Sequence, residues 1–233
     1  MEKFAGNISS TKAKTTYVKS LGVADFGEFS LGKNTTKILH EDPKLLLFTL
    51  ARYKFVAKMF SGFDNVLEIG CQEGFGAVIV SQNVKHLLGV DFYVPHIKSC
   101  NQRIQNEKMT FEAADILTEP IRKEFQGVFA LDVLEHIDRA SEDVFMKNVC
   151  GSMRDSGVVI LGMPSLESQK YASEASKIGH VNCKTGEEFS QFSKRYFKNV
   201  FSFSMNDEVL HTGFFPMSHY LFVVCTHPII FST

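Results

Sequence analysis

The stretch Val66-Leu67-Glu68-Ile69-Gly70-Cys71-Gln72-Glu73-Gly74-Phe75-Gly76 constrains this chain more than any other. A short apolar run carries an acid near its end, glycines follow, and a helix-like segment begins. Glycine lets a ligand approach the backbone where a Cβ would collide, and it permits a tight strand-to-helix turn. A second acid, Asp91, closes the next apolar run, Leu87-Leu88-Gly89-Val90. That is the usual distance for a carboxylate that grips a ribose diol. Loop plus acid, within a strand–helix rhythm, points to a cofactor containing adenosine.

The glycine register decides against a nicotinamide fingerprint, G-x-G-x-x-G. Read from Gly70, the second glycine position holds Gln72; read from Gly74, the third holds Ile79. The pattern that fits is acid-x-Gly-x-x-x-Gly, with Glu68 two residues before Gly70. It resembles motif I of the class I S-adenosylmethionine-dependent methyltransferases, with Gln72 where glycine is usual. Three further segments resemble the same family in order. Asp91 matches the acid that binds the ribose hydroxyls. Ala114-Asp115-Ile116 matches the turn that reads adenine, the Asp accepting from the exocyclic amine and the next backbone N–H facing a ring nitrogen. Leu131-Asp132-Val133-Leu134-Glu135-His136 matches the D-x-L-E-H signature under the methionine end of the cofactor.

The resemblance implies S-adenosyl-L-methionine as cofactor, bound by Glu68, Gly70, Gly74, Asp91, Asp115, Ile116 and Asp132. It assigns Glu68 to the methionine amine. It also implies an α/β Rossmann-like sheet of seven mostly parallel strands with helices on both faces, the last strand antiparallel. The segment from Asp42-Pro43 to Phe60, with Ala51-Arg52-Tyr53-Lys54-Phe55, resembles the helix before the core in bacterial methyltransferases of surface-polysaccharide pathways. Enzymes of similar build often take the methionine carboxylate on this helix, and a planar guanidinium suits a carboxylate, so Arg52 is the candidate. The acceptor this implies is a sugar, a nucleotide sugar or a phosphorylated metabolite, methylated on oxygen.

A hydroxyl acceptor needs a base, and histidine suits neutral pH. His136 follows the strand-four motif. His180 lies on the connection that should cross the substrate pocket, and it is the preferred base. His211 and His219, near the last strands, are weaker candidates. Asp132, Glu135 and His136 also form an acid-x-x-acid-His run of the kind that binds divalent cations; that run alone is not diagnostic, and no metal is assigned. Cys71, with no basic neighbour, is read as packing.

At 233 residues, one α/β domain over residues 42–233 is expected, preceded by an arm or lid over residues 1–41 whose Phe26, Phe29 and Leu31 need cover. A formal net charge of −1 leaves no electrostatic footprint for nucleic acid, which disfavours a nucleic-acid methyltransferase. Five scattered cysteines without C-x-x-C fit reduced thiols and a cytoplasmic protein. No apolar run reaches membrane-spanning length. A Rossmann-type NAD-dependent oxidoreductase and a non-catalytic cofactor-binding protein are the alternatives, together with a protein or nucleic-acid methyltransferase. The chain's patterning predicts a helix from Asp42 as N-cap, and further helices over Phe75–Gln82, from Pro95, and over Arg139–Arg154 with Val144 inward. It predicts a last helix with a capping box of Thr185 and Glu188. Strands four and five are expected at Val128–Leu131 and Val158–Leu161.

Overall fold

The structure is a computed structural model describing residues 12–20, 29–122 and 124–229. It divides into two compact units, Met1–Ser30 and Leu31–Thr233. The described part of the first is the helix α1 (Lys12–Ser20) with residues 29 and 30. Phe26 lies outside the described residues, and Phe29 is 48 % exposed.

The second unit runs α2 (Lys33–Glu41), α3 (Pro43–Met59), β1 (Asn65–Ile69), α4 (Ala77–Ser81), β2 (His86–Asp91), α5 (Val94–Arg103), β3 (Met109–Ala113) and β4 (Phe125–Leu131). It continues with α6 (Glu142–Ser152), β5 (Met153–Pro164), α7 (Glu174–Gly179), α8 (Gly186–Lys194), β6 (Phe197–Asn206), β7 (Val209–His211) and β8 (Tyr220–Pro228). Eight strands form one sheet in the order β3-β2-β1-β4-β5-β8-β6-β7. The first five are parallel, and β8 enters antiparallel between β5 and β6. The fold class is the expected one. The eighth strand is the addition: three residues of β7 fold back on β6.

Strand alternation sorts the core onto two faces. Leu67 and Ile69 of β1 face Phe145, Met146 and Val149 of α6 and Phe189 of α8. Val66 shares the other face with Val56 and Ala57 of α3, Val80 of α4 and Cys100 of α5. Glu68 is in step with Val66 along β1, so an acid sits on the α3 side of the sheet.

Several local expectations are corrected. Residues 33–41, expected within an arm without periodicity, are helical. The cap of α2 is not local: the buried Glu73 accepts from the backbone N–H groups of Lys33 and Asn34 at 2.9 and 2.8 Å, satisfying donors at the helix start. The compact unit therefore begins at Leu31. Asp42 precedes Pro43 as expected but makes no side-chain cap, since it also ends α2, where its N–H bonds the Ile38 carbonyl. Val144 is exposed, and Met146 takes its inward place. Asp155-Ser156-Gly157, expected to end the helix, lies within β5 instead, the helix having ended at Ser152. β5 starts at Met153, and a register shift against β4 between Phe125 and Gly127 absorbs the extra residues. The capping box of Thr185 and Glu188 is present.

Candidate active site

Chain order reverses between β1 and β4, and the carboxyl ends of β1, β2, β3 and β4 surround a cavity of about 630 Å³. Ligands of open α/β sheets bind at such a reversal. Gly70, Asp91, Asp115, Ile116, Asp132 and His136 line it, from the ends of β1 to β4 or from the loops that follow. Arg52, Glu68, Gly74 and His180 are not among the lining residues.

Gly70 has φ +77°, and a Cβ there would lie 2.4 Å from Cγ2 of Val133 on the opposite strand end. Its N–H and that of Cys71 both bond the Val90 carbonyl, which ties the loop to β2. Gly74, at φ +72°, answers a different demand: its Cβ would meet Ile104 and Phe111 at 2.8 Å, so its smallness serves packing of α5 and β3. Gln72, where the family pattern has glycine, holds φ +46°. The left-handed conformation is kept without the residue that adopts it freely.

Asp91 is buried, yet its carboxylate reaches the cavity wall. One oxygen accepts from the Gln72 N–H at 2.9 Å and the other from the Tyr93 N–H at 2.8 Å. A carboxylate has about four acceptor sites, so two remain for a diol. Asp115 is exposed and turns its own loop by accepting from the Leu117 N–H at 2.9 Å, while Ile116 beside it is buried.

Two neighbours on α3 reach the ends of two strands. Tyr53 donates to Glu68 at 2.7 Å, and the other Glu68 oxygen is buried without a hydrogen-bond partner. Burial pushes the Glu68 carboxyl up to about 8; the Tyr53 hydrogen bond opposes this and nearby Asp91 adds to it. Arg52 donates to both oxygens of Asp132 and stacks on the Tyr220 ring. Asp132 itself has φ +57°.

Past β4, a single helical turn, Leu134–His136, carries Glu135 inward and His136 outward. The Glu135 carbonyl accepts from the N–H groups of Val181 and Asn182 at 2.8 and 3.0 Å, which draws the loop after α7 onto this turn. His136 and His180 consequently pack edge to face, ring centres 5.1 Å apart. Burial and the neighbouring His136 lower the His180 pKa, which favours neutral imidazole. Glu135 is fully buried, and burial followed by the charge of Asp132 pushes its carboxyl well above the usual range. The sequence pairs neither histidine with the other; a contact across 44 positions has no local signal. His211 bonds Ser204, and His219 accepts from the Asp207 N–H, both away from the cavity lining.

The geometry has counterparts in known proteins. Residues 66–157 match the family model described as a methyltransferase domain. The comparison with curated proteins gives no match. Among solved structures, the chain resembles that of the complex between the Trm112 methyltransferase activator of Haloferax volcanii and its methyltransferase, at 10 % identity and TM-score 0.65, over 86 % of this chain and 100 % of that one. It resembles the N-methyltransferase NodS of Bradyrhizobium japonicum WM9 in complex with S-adenosyl-L-homocysteine, at 17 % identity and TM-score 0.62, over 82 % and 91 %. The methyltransferase domain of bacterial CtHen1-C matches at 16 % identity and TM-score 0.64, over 78 % and 98 %. At these identities the likeness establishes the fold. The methyltransferase domain matched over residues 66–157, set on a Rossmann-like methyltransferase fold, supports an S-adenosylmethionine-dependent methyltransferase. No helix among the described residues is long and apolar enough to cross a membrane.

Proposed function

We propose that this methyltransferase transfers a methyl group to a hydroxyl of a small molecule, and that His136 and His180 activate that hydroxyl. The observation that carries the reading is the histidine pair itself, one ring of which lines the cavity that Asp91 also lines.

The cavity fits S-adenosylmethionine. A Cβ at Gly70 would obstruct backbone approach at the strand crossing, and the buried Asp91 keeps acceptor capacity for a ribose. Asp91 would hold the two ribose hydroxyls, and Asp115 with the backbone of Ile116 would read adenine. Arg52, Glu68 and Asp132 lie at the ends of β1 and β4 for the methionine end, Arg52 for its carboxylate and Glu68 for its amine. When bound, the cofactor supplies an electrophilic methyl group on a sulfonium. The protein aligns the acceptor and keeps water away. The histidine pair at the cavity edge promotes loss of the acceptor's proton as the bond to carbon forms.

The acceptor class rests on two supports. A formal net charge of −1 lacks the basic surface a nucleic acid would require. The α3 segment that resembles surface-polysaccharide methyltransferases is the one whose Arg52 and Tyr53 hold the acids beside the cavity. A sugar, a nucleotide sugar or a phosphorylated metabolite of a surface-polysaccharide pathway is therefore the proposed acceptor. All five cysteines are free and four are buried, in keeping with a cytoplasmic setting.

The test is mass spectrometry on the purified protein with S-adenosylmethionine and a panel of sugars, nucleotide sugars and sugar phosphates. A gain of one methyl on oxygen is expected, reduced roughly a hundredfold or more by His180→Ala with S-adenosylhomocysteine affinity unchanged. Methylation confined to amines, or full turnover in both His136→Ala and His180→Ala, would overturn the reading.

A further inference from the structure

We propose that Glu135, His136 and His180 form a divalent metal site at the edge of the cofactor cavity. One donor atom from each of the three lies within 4.8 Å of the others. Ligands about 2.1 Å from an ion sit roughly 3–3.4 Å apart, so small side-chain rotations close the set.

Two observations beyond proximity point to a ligand. First, both carboxylate oxygens of Glu135 are buried with no hydrogen-bond partner among the described residues, although the side chain is fully enclosed. A buried carboxyl with neither oxygen hydrogen-bonded is incompletely satisfied, and buried acids are normally hydrogen-bonded, paired or bound to metals. Arg52 acts on it through charge alone, since its donated hydrogen bonds go to Asp132. Second, both histidines are oriented as ligands are. Nδ1 of His136 faces the Gly179 carbonyl at 2.9 Å, an acceptor, so Nδ1 carries the proton. Nδ1 of His180 faces Oε1 of Gln169 at 2.8 Å. The Gln169 amide nitrogen donates to the Ser165 carbonyl, which fixes Oε1 toward His180. In both neutral rings the lone pair is then on Nε2. Metal-bound histidines characteristically have their other ring N–H held by an oxygen.

Two imidazoles and one carboxylate suit a borderline cation such as Mn²⁺, Fe²⁺, Co²⁺ or Zn²⁺, rather than Mg²⁺ or Ca²⁺, which prefer oxygen alone. The acid-x-x-acid-His run in the sequence thus contributes its second acid and its histidine. Asp132 is committed to Arg52, and His180 from a distant loop takes its place. Three protein donors leave coordination positions for an oxygen of the acceptor, which the ion would hold and acidify. That role rests on placing methyl transfer at this cavity, and it makes the histidines ligands rather than a bare base.

Occupancy is tested without turnover. Full-length, tag-free protein is stripped with chelator and titrated with Mn²⁺ alone, read by electron paramagnetic resonance and elemental analysis. One equivalent is expected, weakened tenfold or more in His180→Ala and in Glu135→Gln. S-adenosylhomocysteine binding in both variants shows that they are folded. Failure of the wild type to take up Mn²⁺ or Zn²⁺, or equal uptake by folded variants, would overturn the site. One equivalent bound, with no hydroxyl methylated on any acceptor, would retain the site and sink the proposed function instead.

Discussion

Arg52 donates from a single nitrogen, Nη1, to both carboxylate oxygens of Asp132, at 3.0 and 2.9 Å, while its guanidinium lies 3.8 Å from the centre of the Tyr220 ring. One side chain of α3 thereby joins the ends of β4 and β8. Its Nε is buried without a hydrogen-bond partner among the described residues, so the arginine is held by charge and stacking more than by a full fork of hydrogen bonds. Arg52→Ala should lower unfolding free energy by roughly 2–4 kcal/mol, the scale for breaking a buried pair, reduced because Asp132 is partly exposed. Arg52→Lys should weaken S-adenosylhomocysteine about tenfold and leave adenosine, which has no carboxylate, unchanged. Chemical denaturation and calorimetry read the two effects separately. Equal losses for both ligands would confine Arg52 to the fold.

The contact between Gly70 and Val133 makes a two-residue test. Gly70→Ala places a methyl 2.4 Å from Cγ2 of Val133 and does so at φ +77°. The clash and the left-handed backbone together should cost about 2–4 kcal/mol and lower the melting temperature. Adding Val133→Ala should return part of that loss, because the clash is relieved and the backbone strain is not. A double variant no more stable than Gly70→Ala would mean that the opposing strand end is not what excludes a side chain here.

The sheet and the cavity wall were legible because both follow from short-range rules. Continuous apolar runs, buried on both faces, mark β1 and β2, and the acids fall at or near the strand ends. Gln72 shows how far a motif can bend: at φ +46° it keeps the glycine conformation with a side chain. What escaped the sequence depends on partners far along the chain. α2 begins under a carboxylate about forty residues away, at Glu73. The Glu135–His136–His180 cluster needs a loop drawn onto a carbonyl. Arg52 was legible as a carboxylate binder, but a protein carboxylate, Asp132, already occupies it. β7 has three residues and exists only through its pairing with β6.

Asp91 carries two loads, and they can be separated. Its oxygens hold the N–H groups of Gln72 and Tyr93, so Asp91→Ala should lower stability as well as cofactor affinity. The loss in S-adenosylhomocysteine binding should be about 2 kcal/mol or more, as for hydrogen bonds to a charged acceptor. A ribose-deoxygenated analogue resolves the cause. It should bind the wild type more weakly than S-adenosylhomocysteine does, and bind Asp91→Ala no more weakly than S-adenosylhomocysteine does. That non-additivity identifies a direct contact. Additive losses would mean that Asp91 supports the loop and does not touch the ribose.

Glu68 sets a pH dependence of stability. Its carboxyl, ordinarily at 4.5, is raised to about 8 by burial, with one oxygen bonded to Tyr53 and the other buried alone. Between those two pH values the folded chain holds a proton that the unfolded chain has released. The group's contribution to stability is therefore fully present below about 4.5, falls as pH rises, and is gone above about 8. A shift of this size is worth on the order of several kcal/mol across that window. Glu68→Gln keeps an oxygen for the Tyr53 hydroxyl and has no proton to lose. Denaturation midpoints measured from pH 5 to pH 9 should decline more steeply for the wild type than for Glu68→Gln, with the curves diverging as Glu68 ionises. Parallel profiles would show that Glu68 is charged in the folded protein at pH 5, with a countercharge that neither Tyr53 nor the apolar face of β1 provides.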